Sequence, residues 1–234
     1  MGPSSKHIQD AIDEIKREFV IDDMGPCNMF LNVAIERGDG FIKLHQERYT
    51  MALLEKYGVP VVPAGGKETP TPAITRSAKD LGVTGGGGNF PYAELVGGLL
   101  YLSCWTRPDI AFAVGRLTRH MTTASLSDWD DAVRVLKYLA STVNQGIVYT
   151  RGGGDLDVLS GGALLGYSDS DYAGNLSNRK STSGVVYMLN GGPVVWKSKQ
   201  QSTVALSTCN NNNYRKGASR QNCPWPGKPK LLKT

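Results

Sequence analysis

The sequence predicts an α/β fold of the α+β kind, with its helices clustered in the middle of the chain and its main strands near the end. Two observations carry this. Between residues 92 and 139 apolar side chains recur at helical spacing three times in succession. After Gly152-Gly153-Gly154 the spacing becomes strand-like, with runs at 163–167, 184–189 and 194–197.

The elements follow in order. Ile8, Ile12, Ile15 and Phe19 form one apolar stripe, which predicts an amphipathic helix closed by Asp22, Asp23, Gly25 and Pro26. Extended runs at 29–35 and 41–44, joined by Glu36-Arg37-Gly38-Asp39-Gly40, predict a hairpin. A short helix over 47–56 follows, with Tyr49, Leu53 and Leu54 on its apolar side. From residue 59 to 89 the prolines (Pro60, Pro63, Pro70, Pro72) and Gly85 to Gly88 interrupt any regular pattern, which reads as a linker.

In the middle, Tyr92, Val96, Leu99 and Leu100 share a helical face, and Ile110, Val114, Leu117 and Met121 share the next. The third helix is expected to open at Ser127 as N-cap, with Asp130 completing a capping box, and to bury Trp129, Val133, Leu136 and Leu139. The last strands are joined by a long polar link, 170–183, and by Asn190-Gly191-Gly192, a tight-turn signal. A helix is expected to begin near Ser202, and the pattern is lost after Cys209.

Composition narrows the classes. At 234 residues and 40% hydrophobic content the chain can build a core, and no apolar run approaches the roughly 20 residues of a membrane span. Cys27, Cys104, Cys209 and Cys223 are scattered, as are His7, His45 and His120, which argues against zinc and for a reducing, intracellular setting. A net charge of +5 and a pI near 9.0 suit a polyanionic partner and equally suit an ordinary basic protein.

The chemistry concentrates in Gly166-Tyr167-Ser168-Asp169-Ser170-Asp171-Tyr172-Ala173-Gly174, where a strand of small and apolar residues delivers a carboxylate at its end. Two-metal phosphodiester hydrolysis needs such fixed hard oxygens, joined by other acids that hold two cations about 4 Å apart. The competing reading is that Asp169 and Asp171 cap a strand-to-loop turn. Arg107 and Asp109 suit a salt bridge or a cap at the start of the Ile110 helix. Trp129 and Trp196 suit the core better than base stacking.

The order of segments is more specific than any one motif. Tyr167 to Gly174, Asn178-Arg179-Lys180-Ser181-Thr182-Ser183-Gly184, Trp196-Lys197-Ser198-Lys199-Gln200-Gln201 and Val204-Ala205-Leu206-Ser207-Thr208-Cys209 resemble the ribonuclease H region of copia-type retrotransposon Pol polyproteins. Upstream, Tyr92-Ala93-Glu94-Leu95-Val96-Gly97-Gly98-Leu99-Leu100-Tyr101-Leu102 and Thr106-Arg107-Pro108-Asp109-Ile110-Ala111-Phe112-Ala113-Val114 resemble the connection segment before it. Asp23-Met24-Gly25 and Phe30-Leu31-Asn32-Val33 resemble the stretch just after the polymerase active-site hairpin.

The resemblance implies a division of the chain. Residues 1–58 are the end of a palm/thumb-like region with a primer-grip-like hairpin, and 59–90 a linker. A helical connection segment spans 91–152, a partial ribonuclease H-like mixed sheet 153–209, and an atypical basic tail 210–234. It implies Mg²⁺ as cofactor, with Asp169 as catalytic and metal-binding remnant. It also implies an RNA–DNA hybrid or other nucleic acid as a weak, sequence-independent partner. Arg116, Arg119, Lys180, Lys197 and Lys199 are the residues expected to contact it, neutralising phosphates without reading bases. The remainder of the polyprotein is a further partner, in the cytoplasm (virus-like particle) or nucleus.

Two departures bear on activity. The family's Tyr-x-Asp-Asp polymerase hairpin is expected just upstream of residue 1, and Asp22 and Asp23 do not replace it, because Met24-Gly25-Pro26 follows where a second apolar strand is required. Where the family places a metal-binding glutamate after Ser207-Thr208-Cys209, this chain has Asn210, Asn211, Asn212 and Asn213. From there to Thr234 no acidic residue occurs, so the family's later aspartate has no counterpart. The expectation is a catalytically inactive remnant that retains nucleic-acid binding. The alternative is an active ribonuclease or polymerase subunit completed by another chain.

Overall fold

The computed structural model describes residues 5–22, 24–62, 70, 91–151, 164–175, 178–204 and 230–233. Its elements are α1 (Ser5–Glu18), β1 (Met29–Phe30), β2 (Val33–Gly38), β3 (Phe41–His45), α2 (Glu47–Lys56), α3 (Tyr92–Trp105), α4 (Ala111–Leu117), α5 (Leu126–Ala140), β4 (Gly146–Thr150), β5 (Leu165–Ser170), β6 (Thr182–Leu189), β7 (Gly192–Gln200) and β8 (Lys230–Lys233). Single 3-10 turns, Pro108–Ile110 and Thr118–His120, flank α4.

The strands form two sheets of four, ordered β1-β2-β3-β4 and β7-β6-β5-β8. Every pairing among the described residues is antiparallel, which the three late runs bear out as one antiparallel sheet, whereas the mixed sheet that the resemblance implied is corrected among these residues. The strand β8 was not foreseen: it comes from the basic tail and pairs with β5. The three expected late strands do lie in one sheet, with Asn190 (φ 50) and Gly191 (φ 80) making the tight turn from β6 to β7. Ala163, the linker residues 63–69 and 71–90, Asp23 and the stretch from 205 to 229 lie outside the described residues.

The core is helical. Leu53 and Leu54 of α2 meet Leu95, Val96, Leu99 and Leu102 of α3, Val114 and Leu117 of α4, and Ala132, Val135, Leu136 and Leu139 of α5. Each of these helices contributes an apolar stripe that no neighbour in sequence covers, so packing them together is what removes that surface from water. The first sheet joins this core through β4, which returns from α5 to pair with β3. The approach is close at Gly146, where a Cβ would stand 2.3 Å from the Leu44 carbonyl oxygen.

Several sequence expectations shift here. The run at 29–35 is two strands, broken at Leu31 (φ 47) and Asn32 (φ 56), and β2 continues through Gly38 so that the hairpin turn is Asp39-Gly40 alone. Leu100 is 41% exposed, since the buried stripe of α3 runs through Leu95 and Leu102 instead. Met121 is exposed because the helix tightens into the 3-10 turn at Thr118–His120 before reaching it. The third helix is capped two residues early, with Ser125 accepting from the Asp128 N–H and Asp128 closing the box. Its buried stripe is Ala132, Val135, Leu136 and Leu139, with Trp129 and Val133 only half-buried. Helix α1 forms as expected, yet Ile8, Ile15 and Phe19 are exposed.

Candidate functional site

Strand alternation assigns the two faces of the second sheet. Tyr167 and Asp169 of β5 stand opposite Val186 and Gly184 of β6, which stand opposite Trp196 and Ser198 of β7. This face meets the helices: the Trp196 indole N–H donates to the Ser103 carbonyl at 2.7 Å, and Ser198 lies against Gly115 of α4. Between sheet and helices opens a largely apolar cleft of about 680 Å³, with Phe112, Met188 and Trp196 among its walls and Asp109, Asp169 and Asp171 on its border.

The three border carboxylates are held differently. Asp169 is exposed near the end of β5, and one of its oxygens accepts from the Ser170 N–H at 2.8 Å. Asp171 lies just past the strand and is drawn back onto it: Oδ1 accepts from the Thr182 N–H, while the Asp171 N–H donates to the Thr182 carbonyl at 3.1 Å. Gly174 belongs to the same turn, since a Cβ there would overlap the Asp171 carboxylate at 1.9 Å. Ser181, fully buried, completes the strap by accepting from the Ala173 N–H at 3.0 Å. Asp171 therefore takes the turn-capping role that the sequence left open.

Asp109 belongs to a clamp. Arg107 is 2% exposed and reaches Asp109 through Nη2 at 2.7 Å and Nε at 3.0 Å, and also donates to the Thr142 carbonyl (2.9 Å) and hydroxyl (2.7 Å). Tyr138 donates to the same carboxylate at 2.8 Å. Burial works to raise the Asp109 carboxyl, but the Arg107 hydrogen bonds and charge, with Tyr138, hold it below the ordinary carboxylate range. The salt bridge expected from Arg107 and Asp109 is thus present. Among the described residues no three His, Cys, Asp or Glu side chains converge into a metal-binding group.

The five expected phosphate contacts do not fall on one patch. By strand alternation Lys197 and Lys199 fall on the face opposite Trp196 and Ser198, both exposed, and Lys197 also borders the cleft. Arg116 and Arg119 sit on and just beyond α4, half-buried, where burial and then the charge of Arg116 lower the Arg119 guanidinium while Asp171 opposes this. Lys180 lies in the β5–β6 connection, half-buried. Trp129 packs edge-on to Tyr57 at 6.1 Å against the core, and the Trp196 indole is tied to α3, so both are anchored as core residues. Sequence reasoning missed Tyr187, which alternation places on the face of Lys197 and Lys199. It also missed the buried Ser181, which no local pattern marks.

An α+β chain with this order of segments has known relatives. It is 33% identical over 202 residues to the retrovirus-related Pol polyprotein from transposon TNT 1-94 of Nicotiana tabacum, covering 83% of this chain and 14% of the polyprotein. To the Pol polyprotein from transposon RE2 of Arabidopsis thaliana it is 32% identical over 211 residues, covering 88% and 14% respectively. It is also 42% identical over 137 residues to the secreted RxLR effector protein 161 of Plasmopara viticola, covering 58% of this chain and 92% of that protein.

The chain belongs to the family of copia-type retrotransposon Pol polyproteins. It spans about one seventh of the two polyproteins named above. No family model matches it, and no solved structure does. No described helix is long and apolar enough to cross a membrane.

Proposed function

We propose that this segment of a Pol polyprotein holds nucleic acid through sequence-independent phosphate contacts and does not itself cut the RNA strand of an RNA–DNA hybrid. The observation that carries the second half is the state of the acids around Asp169. Hydrolysis through paired Mg²⁺ ions needs several carboxylates free to share two cations. Among the described residues on the cleft border, Asp171 is engaged by the Thr182 N–H and Asp109 by the Arg107 guanidinium. Among the described residues this donor set does not fit a two-ion centre, and in the sequence the tract Asn210 to Asn213 supplies neutral amides.

Binding is supported by the net charge of +5, by the exposed Lys197 and Lys199, and by family membership. Lysine and arginine at such positions release counterions from phosphates, so affinity falls steeply with salt. The test uses the purified chain with a labelled RNA–DNA hybrid and with Mg²⁺ or Mn²⁺, beside an Asp169→Asn variant. The expected result is salt-sensitive binding without cleavage in either protein. Cleavage that Asp169→Asn abolishes would overturn the proposal, as would the absence of binding at low salt.

A further inference from the structure

We infer that the face of the second sheet opposite Trp196 and Ser198, which meets the cleft only at its edge, is a platform for single-stranded nucleic acid. This deepens the nucleic-acid reading above and rests on it. The face is a grid of cross-strand neighbours. Ser170 stands opposite Ser183, which stands opposite Lys199; Ser168 stands opposite Val185, which stands opposite Lys197. In the third row Gly166 stands opposite Tyr187, which stands opposite Val195. Residues directly opposite one another in an antiparallel pair project to the same side, so these form one surface.

Three features of that surface fit one occupant. First, its charge is of one sign. Lys197 and Lys199 are exposed, and none of the nine positions carries a carboxylate. Among the described residues neither lysine makes an ion pair. The two lie on the edge strand two residues apart, about 6.8 Å by strand rise, as a short basic rail. Second, Tyr187 projects beside that rail, with Gly166 on one flank, where no side chain stands, and the 54% exposed Val195 on the other. A ring held in this way offers a surface on which an unpaired base can stack. Third, the helix contacts fixed by geometry run to the other side: the Trp196 indole donates to Ser103 of α3, and the Ser198 carbonyl lies against Gly115 of α4.

A duplex has its bases already stacked and can use only the lysines, whereas a single strand uses the lysines and the ring together. The platform therefore favours single strands. Arg116 and Arg119 take no part, because they project from and beyond α4 on the cleft side of the sheet.

The test is fluorescence anisotropy of the whole chain with a labelled 15-nucleotide homopolymer and with an RNA–DNA hybrid of equal length, at 50 and 200 mM NaCl. The variants are Lys197→Glu/Lys199→Glu, Tyr187→Leu, Tyr187→Phe and Arg116→Ala/Arg119→Ala, each checked for native circular dichroism and thermal midpoint.

The expected result is tighter binding of the homopolymer than of the hybrid. The double-lysine variant should lose ten-fold or more of the homopolymer affinity. For two phosphate contacts, raising the salt four-fold should weaken the wild type by about seven-fold through those contacts alone, and the variant should lack that part of the dependence. Tyr187→Leu should lose about five-fold or more, Tyr187→Phe little, and the arginine pair little.

Hybrid binding with no preference for the homopolymer would overturn the platform while leaving the broader reading intact. Failure to bind either ligand at 50 mM NaCl would overturn both. A mass doubling of the free chain that Lys197→Glu/Lys199→Glu abolishes, with homopolymer affinity unchanged, would assign the face to a second copy of this chain instead.

Discussion

Replacing Arg107 with methionine should remove the clamp that ties the turn at Pro108–Ile110 to the end of α5. The guanidinium is 2% exposed and makes three contacts to the Asp109 carboxylate and two to Thr142, and its Cζ lies 5.5 Å from the Tyr138 ring centroid. Removing one member of a buried, hydrogen-bonded pair costs about 3–5 kcal/mol. Two features place this case at the low end. Methionine restores most of the buried stem, and the Asp109 side chain is 32% exposed, so water recovers part of its solvation. The expected loss is about 3 kcal/mol, which at a slope of about 2 kcal/mol/M lowers the urea midpoint by about 1.5 M. Asp109→Ala should then cost less in the Arg107→Met background than in the wild type, because the charge it removes has already lost its partner.

The pH dependence gives a second readout of the same clamp. A carboxyl whose folded pKa is lowered contributes stability that is present above its unfolded value, near 4, and lost as pH falls through the folded value. In the wild type this contribution of Asp109 is therefore lost only below about pH 4. In Arg107→Met burial still raises the Asp109 carboxyl while only Tyr138 and the backbone hydrogen bond lower it, so the stability it contributes above about pH 4 should shrink and the acid dependence should flatten. A midpoint shift below about 0.5 M, or the same pH profile for wild type and variant, would refute the clamp.

Two further outcomes are expected. Ser125→Ala should cost about 1 kcal/mol in thermal or urea unfolding while Ser127→Ala stays within about 0.5 kcal/mol, because Ser125 rather than Ser127 caps α5; equal losses would refute the capping register. Ile15→Gln in α1 should leave the urea midpoint of the chain unchanged, since this side chain is 48% exposed, and a marked loss would show that the stripe packs against this chain after all.

Much of this architecture was legible because helix and strand periods are local properties. Leu136 and Leu139 lie on the inner face of α5 wherever that helix begins, and Asn190-Gly191 turns a chain whatever the strands pack against. The capping register was less legible: Ser125 and Ser127 each have an aspartate three residues on, and both satisfy the sequence rule. Leu100 and Met121 fit helical stripes by spacing, yet one faces out of α3 and the other follows the 3-10 turn. Both outcomes depend on which neighbour covers which arc of the helix.

The same division holds at the candidate site. The sequence alone placed Asp169 at the end of a strand, paired Arg107 with Asp109, and located the chain within its family, because strand spacing, short-range charge pairing and segment order are all written in the order of residues. Only the tertiary structure separated the two aspartates of Asp169-Ser170-Asp171. Thr182, eleven residues beyond Asp171, supplies the N–H that draws its carboxylate into the turn. Only the tertiary structure, likewise, split Lys197 and Lys199 from Arg116 and Arg119, for charge along a chain carries no information about which face of a sheet a helix will cover.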